Sequence, residues 1–357
     1  MAHRGDLGRV NGFQLLKFLG KGTFGAVYQA RREADGKIYA IKKVDTRKMS
    51  TKERAEAVNE IRVLASVAGE HVITFYEAFV EQEILYIVTE FAMHGDLLQL
   101  LKNKRRAGHL PEKTVWSYFI QMCLGIKTMH DNNILHRDLK AANVFMCSPS
   151  YLKLGDLGVA KVLKHDQALA STQVGTPYYV APEVWRNKPY NAKCDMWSLG
   201  CLLYELCTFR PPFEAESMEG LARKVMKGRY EAIPSFYSQA LRTTLSKLLV
   251  VEPNFRSSVN DILASGEYPA PQPAAIHAPM HSRRCAPRAL APPHPRPPTP
   301  SPHPRPAWMP CPFRSQSRWR RRWATSPRSL LRIRTIIRPP RASTLSPPSK
   351  CRVASTT

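Results

Sequence analysis

Short alternations of apolar and polar residues open the chain. "FQLLKFLG" (13–20), "AVYQARR" (26–32) and "KIYAIKKV" (37–44) are separated by glycine turns and predict three strands. The period then changes. In "STKERAEAVNEIRVLASVA" (50–68), Val58, Ile61 and Leu64 recur at helical spacing. "VITFYEAF" (72–79) and "EILYIVTE" (83–90) return to strand character, and after "FAMHGDL" most of the chain reads helical. "PEKTVWSYFIQMCLGIKTMHD" (111–131) predicts a long helix with Pro111 in its first turn. "MWSLGCLLYEL", from Met196, is interrupted by Glu205 and reads as a buried helix rather than a membrane span. The pattern predicts an α+β fold in two lobes with a cleft between them. The small β-rich lobe with one helix takes about 10–90, and the larger α-rich lobe about 91–265.

Composition divides the chain near residue 266. Residues 266–357 hold 17 of the 53 lysines and arginines, one of the 28 acids and 21 of the 30 prolines, so most of the +25 net charge lies there. In "PHPRPPTPSPHPRP" (293–306) the prolines lack amide donors and favour polyproline II. "RWRRRW" (318–323) mixes Arg with Trp. Residues 266–357 are therefore expected to form a disordered basic tail, with SH3-like domains or anionic surfaces as the partners its chemistry admits. The same Arg, Pro and Ala bias would also fit a GC-rich message read in an unintended frame. Residues 1–9 are read as an N-terminal extension without the apolar core of a secretory signal. No apolar run is long enough to span a membrane. Eight cysteines without a C-x-x-C pair suit free thiols in the cytoplasm or nucleus.

The candidate chemistry lies in residues 10–265. "GKGTFGAV", from Gly20, fits G-x-G-x-x-G-x-V, and glycines at 20, 22 and 25 let backbone amides approach phosphate oxygens. A dinucleotide site would need a helix next, whereas a strand follows here, as a phosphate-covering hairpin requires. Lys42, on the third strand, can reach nucleotide phosphates, and Glu60 on the following helix is the carboxylate expected to hold it. In "ILHRDLKAANVF" (134–145), Asp138 can accept the proton of an attacking hydroxyl and Lys140 can neutralise a moving phosphoryl group. Asn143 can ligate magnesium, and Asp156, 18 residues beyond Asp138 at the end of "YLKLG", completes a two-ligand site.

"GTPYYVAPE" (175–183), "CDMWSLG" and "NFRSS" follow in the expected order. Over roughly residues 10–265 the chain resembles the eukaryotic protein kinases, and Lys140 with "GTPYYVAPE" points to the serine/threonine group. The resemblance implies the two-lobed kinase fold, ATP and Mg2+ as cofactors, and protein Ser/Thr hydroxyls as substrates. It places ATP against Leu19, Gly20, Lys21, Gly22, Gly25, Val27, Ala40 and Lys42, with the backbone of Glu90 and Ala92 at the adenine edge. It implies that Glu183 pairs with Arg256 and that Asp195 braces the catalytic loop.

"ILHRDLKAANVF", "KLGDLG", "VGTPYYVAPE" and "PPFEAESMEGL" together resemble the NIMA-related (Nek) kinases, especially the short members. That resemblance implies work in the cell cycle, at microtubules and centrosomes or in cilia. It points to Thr172 as an activation site, phosphorylated by an upstream kinase or by the chain itself. A phosphate there would meet Arg137 beside Asp138. Where many Neks carry an inhibitory tyrosine, Phe75 stands, with Tyr76 adjacent. Leu157 of "DLG" is expected to pack in a column with Leu64, Phe75 and His136. The alternative to an active enzyme is a kinase-fold scaffold whose basic tail binds anionic partners.

Overall fold

The computed structural model describes residues 7–22, 25–47, 49–156 and 177–266. The chain divides into two units, Met1–Pro271 and Gln272–Thr357. The second unit and nearly all of the expected tail lie outside the described residues, as do Leu157 and Thr172.

Six antiparallel strands build the small lobe: β1 (Arg9–Val10), β2 (Phe13–Gly22), β3 (Gly25–Arg32), β4 (Ile38–Asp45), β5 (Phe75–Glu81) and β6 (Ile84–Glu90). Their order is β1-β2-β3-β4-β6-β5. The sheet thus starts inside the expected extension, because Arg9 pairs with Gln14 and Val10 is buried against Phe13. Alternation sorts the side chains onto two faces. Tyr39, Ile41, Tyr86 and Val88 are buried on one face with Phe13 and Ala30. Val44, Leu85 and Ile87 pack on the other against Ile61 of α1 (Thr51–Ser66), with Leu64 and Phe75 beside them. Ser50 opens α1 through a reciprocal capping box with Glu53.

Phe75 therefore faces inward, while Tyr76 is exposed and packs edge-on against Tyr39. The strand expected at 72–79 is displaced to Phe75–Glu81. The reason is competition for backbone partners, since His71 and Ile73 hydrogen-bond to Leu154 of the large lobe instead.

The large lobe contains α2 (Leu97–Lys104), α3 (Glu112–His130), the hairpin β7 (Val144–Ser148) and β8 (Tyr151–Leu154), and helices α4 (Pro182–Trp185), α5 (Lys193–Thr208), α6 (Met218–Lys227), α7 (Gln239–Leu248) and α8 (Val259–Ala264). Pro111 sits just outside α3 as its N-cap, with extended ψ. From Cys194 to Cys207, every residue of α5 except Ser198 is buried, so the apolar run at Met196 is a core helix. Among the described residues no helix is long and apolar enough to cross a membrane.

The β7–β8 hairpin lies where the lobes meet and is held on both edges. On the β8 side, the Ile73 N–H donates to the Leu154 carbonyl at 2.7 Å, and the Leu154 N–H donates to the His71 carbonyl at 2.9 Å. On the β7 side, the His94 N–H donates to the Met146 carbonyl and the Met146 N–H to the Gly95 carbonyl. Behind it, α3 approaches so closely that a Cβ on Gly125 would lie 2.7 Å from the His71 carbonyl oxygen. This packing fixes the hairpin end from which Asn143 and Asp156 emerge.

Candidate active site between the lobes

The glycine-rich segment forms the roof. Gly20 pairs with Val27, Lys21 with Ala26 and Gly22 with Gly25 across β2 and β3. Val27 in turn pairs with Lys42 on β4, and Lys42 with Ile87 on β6. The register stacks Gly20, Val27 and Lys42 across three neighbouring strands, with Leu19 exposed beside them. A Cβ on Gly25 would run into the backbone carbonyl of Lys43, so the tight hairpin requires glycine there.

Ala40 lies two residues from Lys42, on the same face of β4, and pairs with Thr89. Glu90 ends β6, and half-buried Ala92 follows. The Glu90 carboxylate accepts hydrogen bonds from the Thr74 amide and hydroxyl and from Lys153 Nζ at 2.7 Å. Its side chain thus ties the small lobe to β8, and a ligand at this edge would be read by backbone.

The catalytic loop is held from below. Buried Asp195, near the start of α5, accepts the Arg137 N–H at Oδ1 and the His136 N–H at Oδ2, each at 2.9 Å. His130 Nε2 lies 2.9 Å from the same Oδ2. Burial pushes the Asp195 carboxyl up, but the hydrogen bonds from His130 and the backbone, with the nearby His136, leave it below its ordinary value. Asp195 also holds Arg137 at φ +64°, a left-handed backbone that arginine rarely adopts.

Beyond that bend, Asp138 Oδ2 accepts from Lys140 Nζ at 2.8 Å and from Asn143 Nδ2 at 3.1 Å. Asn143 Nδ2 also donates to the Asp138 carbonyl at 2.8 Å. Val144 pairs with Leu154 and the Gly155 N–H donates to the Asn143 carbonyl, so Asn143 and Asp156 flank one end of the hairpin. Asp156 (φ +52°) turns its carboxylate to Lys42, 2.5 Å from Nζ. The partner of Lys42 among the described residues is therefore Asp156. Glu60 lies on the backbone of α1, and its side chain is outside what is described. An amide oxygen and a carboxylate at one hairpin end form a hard-oxygen donor set, which fits Mg2+.

His136 is fully enclosed, and its Nε2 has no hydrogen-bond partner among the described residues. Burial pushes its pKa below the ordinary 6.5, against the pull of Asp195, Asp138 and Asp156. Below pH 6.5 the unfolded chain therefore takes up a proton that the folded chain does not, and stability falls. Thermal unfolding followed between pH 7 and 5.5 should show the parent losing up to about 1.4 kcal/mol per pH unit from this group. His136→Leu should lose that component of the slope. Parallel slopes would refute the assignment.

Farther from the cleft, Glu183 and Arg256 form a buried bidentate pair at 2.8 and 2.9 Å. Tyr179 donates its hydroxyl to Glu205 at 2.6 Å, inside the apolar run of α5. Burial raises the Glu205 carboxyl in spite of that bond. Sequence reading passed over Glu205 as an interruption, although an acid in a buried helix signals a partner. It also missed the Glu90–Lys153 link, which has no local sequence signal.

The protein kinase domain family matches residues 13–266. "Serine/threonine-protein kinase Nek1" of Mus musculus is 41% identical over 251 residues, covering 70% of this chain and 21% of that protein. "Probable serine/threonine-protein kinase nek3" of Dictyostelium discoideum is 41% identical over 256 residues, covering 70% and 23%. "Serine/threonine-protein kinase Nek2" of Mus musculus is 38% identical over 265 residues, covering 72% and 60%. The chain thus spans between 21% and 60% of the length of these curated relatives.

Proposed function

Because the chain belongs to the protein kinase family, we propose that it is an ATP- and Mg2+-dependent serine/threonine kinase of the NIMA-related type. One observation carries the reading: two contact pairs, Lys42–Asp156 and Asp138–Asn143, meet at one end of the β7–β8 hairpin, where the Gly155 N–H donates to the Asn143 carbonyl. Bound ATP would supply the γ-phosphoryl group, and Mg2+ would offset the charge on its oxygens.

The chain's residues divide the remaining work. Asp138 orients the substrate hydroxyl and accepts its proton at a carboxylate oxygen. Asn143, bonded to both the carbonyl and carboxylate of Asp138, fixes the direction of that carboxylate and with Asp156 would hold the metal. Lys140 neutralises charge beside the transfer path, and Lys42 binds phosphate oxygens beneath the glycine roof. Backbone groups of Glu90 and Ala92 would bind the adenine edge.

The scaffold reading is disfavoured because Lys42, Asp138 and Asp156 are all present. A role in the cell cycle, at microtubules and centrosomes or in cilia rests on the Nek resemblance. So does a centrosomal or ciliary location, whereas a cytoplasmic or nuclear one rests on the cysteine usage.

The test is phosphotransfer by the purified full chain. With labelled ATP and Mg2+ it should label mixed protein substrates on serine and threonine. Absence of transfer, or label confined to tyrosine, would overturn the proposal.

A further inference from the structure

The C-terminal end of α2 and the turn after it carry Lys102, Lys104, Arg105, Arg106 and His109, all exposed. None of the four lysines and arginines makes an ion pair among the described residues. Lys102, Arg105 and Arg106 fall at i, i+3 and i+4, along one ridge where like charges repel. The negative end of the α2 dipole offsets only part of that repulsion.

The acids nearest in sequence face other partners. Asp96 caps α2 through the Gln99 N–H and binds its side-chain amide. Glu112 accepts from Trp116 Nε1 at 3.0 Å and from the amide and hydroxyl of Ser238. Residues 266–357 contribute one acid against 17 bases, so their composition does not supply the missing counter-charge. Beside the ridge, His109 packs on Phe236 with ring centroids 4.6 Å apart, and Phe236 is 58% exposed.

The same helix reaches the cleft. Asp96, its N-cap, bridges Phe145 of β7, and Leu97 and Leu101 share a core cluster with Ala141, in the turn that carries Asn143. With eight residues, α2 is about 12 Å long, a span that about four residues of extended peptide cover.

We propose that this basic ridge docks an acidic segment of the phosphorylated protein, about four or more residues from the acceptor hydroxyl. The inference rests on the kinase reading of the cleft. A single ridge little more than one turn long suits a short row of carboxylates with an apolar side chain against Phe236. Nucleic-acid binding rests on many phosphate contacts over a broader surface.

The test uses the full chain and its Lys102→Glu/Arg105→Glu/Arg106→Glu variant. Two peptides share one Ser/Thr acceptor and differ only in a distal block of glutamates or glutamines. The parent should show a KM about tenfold lower for the glutamate peptide at equal kcat, an advantage that shrinks with salt. The variant should lose the advantage while keeping its activity on the glutamine peptide. Arg105→Ala/Arg106→Ala should show a smaller loss in the same direction, which covers misfolding of the triple variant.

Fluorescence anisotropy of an acceptor-free glutamate peptide separates docking from catalysis. If the parent phosphorylates neither peptide yet binds this probe more tightly than the variant does, the kinase reading fails and the ridge stands. Equal KM values in an active parent, or an advantage that survives in the variant, would overturn the proposal. So would a variant that loses only binding to RNA or phosphatidylserine vesicles.

Discussion

Asp138→Asn should lower phosphotransfer by about a thousandfold while leaving the fold intact, as expected for loss of a positioned general base. Asparagine has nearly the same shape, and its carbonyl oxygen can still accept from Lys140 and Asn143, which now bind Oδ2 at 2.8 and 3.1 Å. What it cannot do is take a proton from the acceptor hydroxyl. Lys42→Met should be similarly damaging for a different reason. It keeps an apolar stem on β4 but removes the cation that faces Asp156. The unpaired Asp156 side chain is 44% exposed, so the stability cost should stay within about 1 kcal/mol. Initial rates at saturating ATP, set beside thermal unfolding of each variant, separate the two effects. Unchanged rates in either folded variant would remove that residue from the mechanism.

Arg256→Ala should have the largest effect on stability, a loss of about 3–5 kcal/mol. The Arg256 side chain is 0% exposed. Its guanidinium binds both Glu183 oxygens and the carbonyls of Lys193, Val250 and Val251, and lies over the Trp197 ring. Truncation would leave the buried Glu183 carboxylate without its counter-ion, along with three carbonyls short of a donor. Against a typical domain stability of about 5–15 kcal/mol, that is a large fraction. The cost comes from stranding a charge, so Arg256→Met combined with Glu183→Leu should recover much of it. Urea unfolding of the three chains measures this. A single-variant loss below about 1 kcal/mol, or a double variant no better than the single, would contradict the account.

Much of the molecule was legible from local pattern. Short apolar-rich alternation placed β2, β3, β4 and β6, because successive side chains of a strand point to opposite faces of the sheet. Helical spacing and amphipathic pattern placed α1 and α3, whereas α5 was read from its continuous apolar run, which matches a helix buried on all sides. Strand 72–79 was misplaced because nothing local reveals that Leu154 captures residues 71–73. The sequence supplied Glu60 as a reasonable partner for Lys42, whereas the described contact is with Asp156, 114 residues away.

By itself, the sequence determined which side chains could do chemistry and in what order along the chain: the glycine strand, Lys42, Asp138, Asn143 and Asp156. Only the tertiary structure decided which of them meet. It turned the Asp156 carboxylate toward Lys42, bent Arg137 into a left-handed conformation under Asp195, and joined Glu90 to Lys153 across the lobes. It also left a ridge of cations on α2 without counter-ions among the described residues. The physical reason is range: periodicity records how one element buries its own face, whereas ion pairs and hydrogen bonds between distant segments form only when packing brings those segments together.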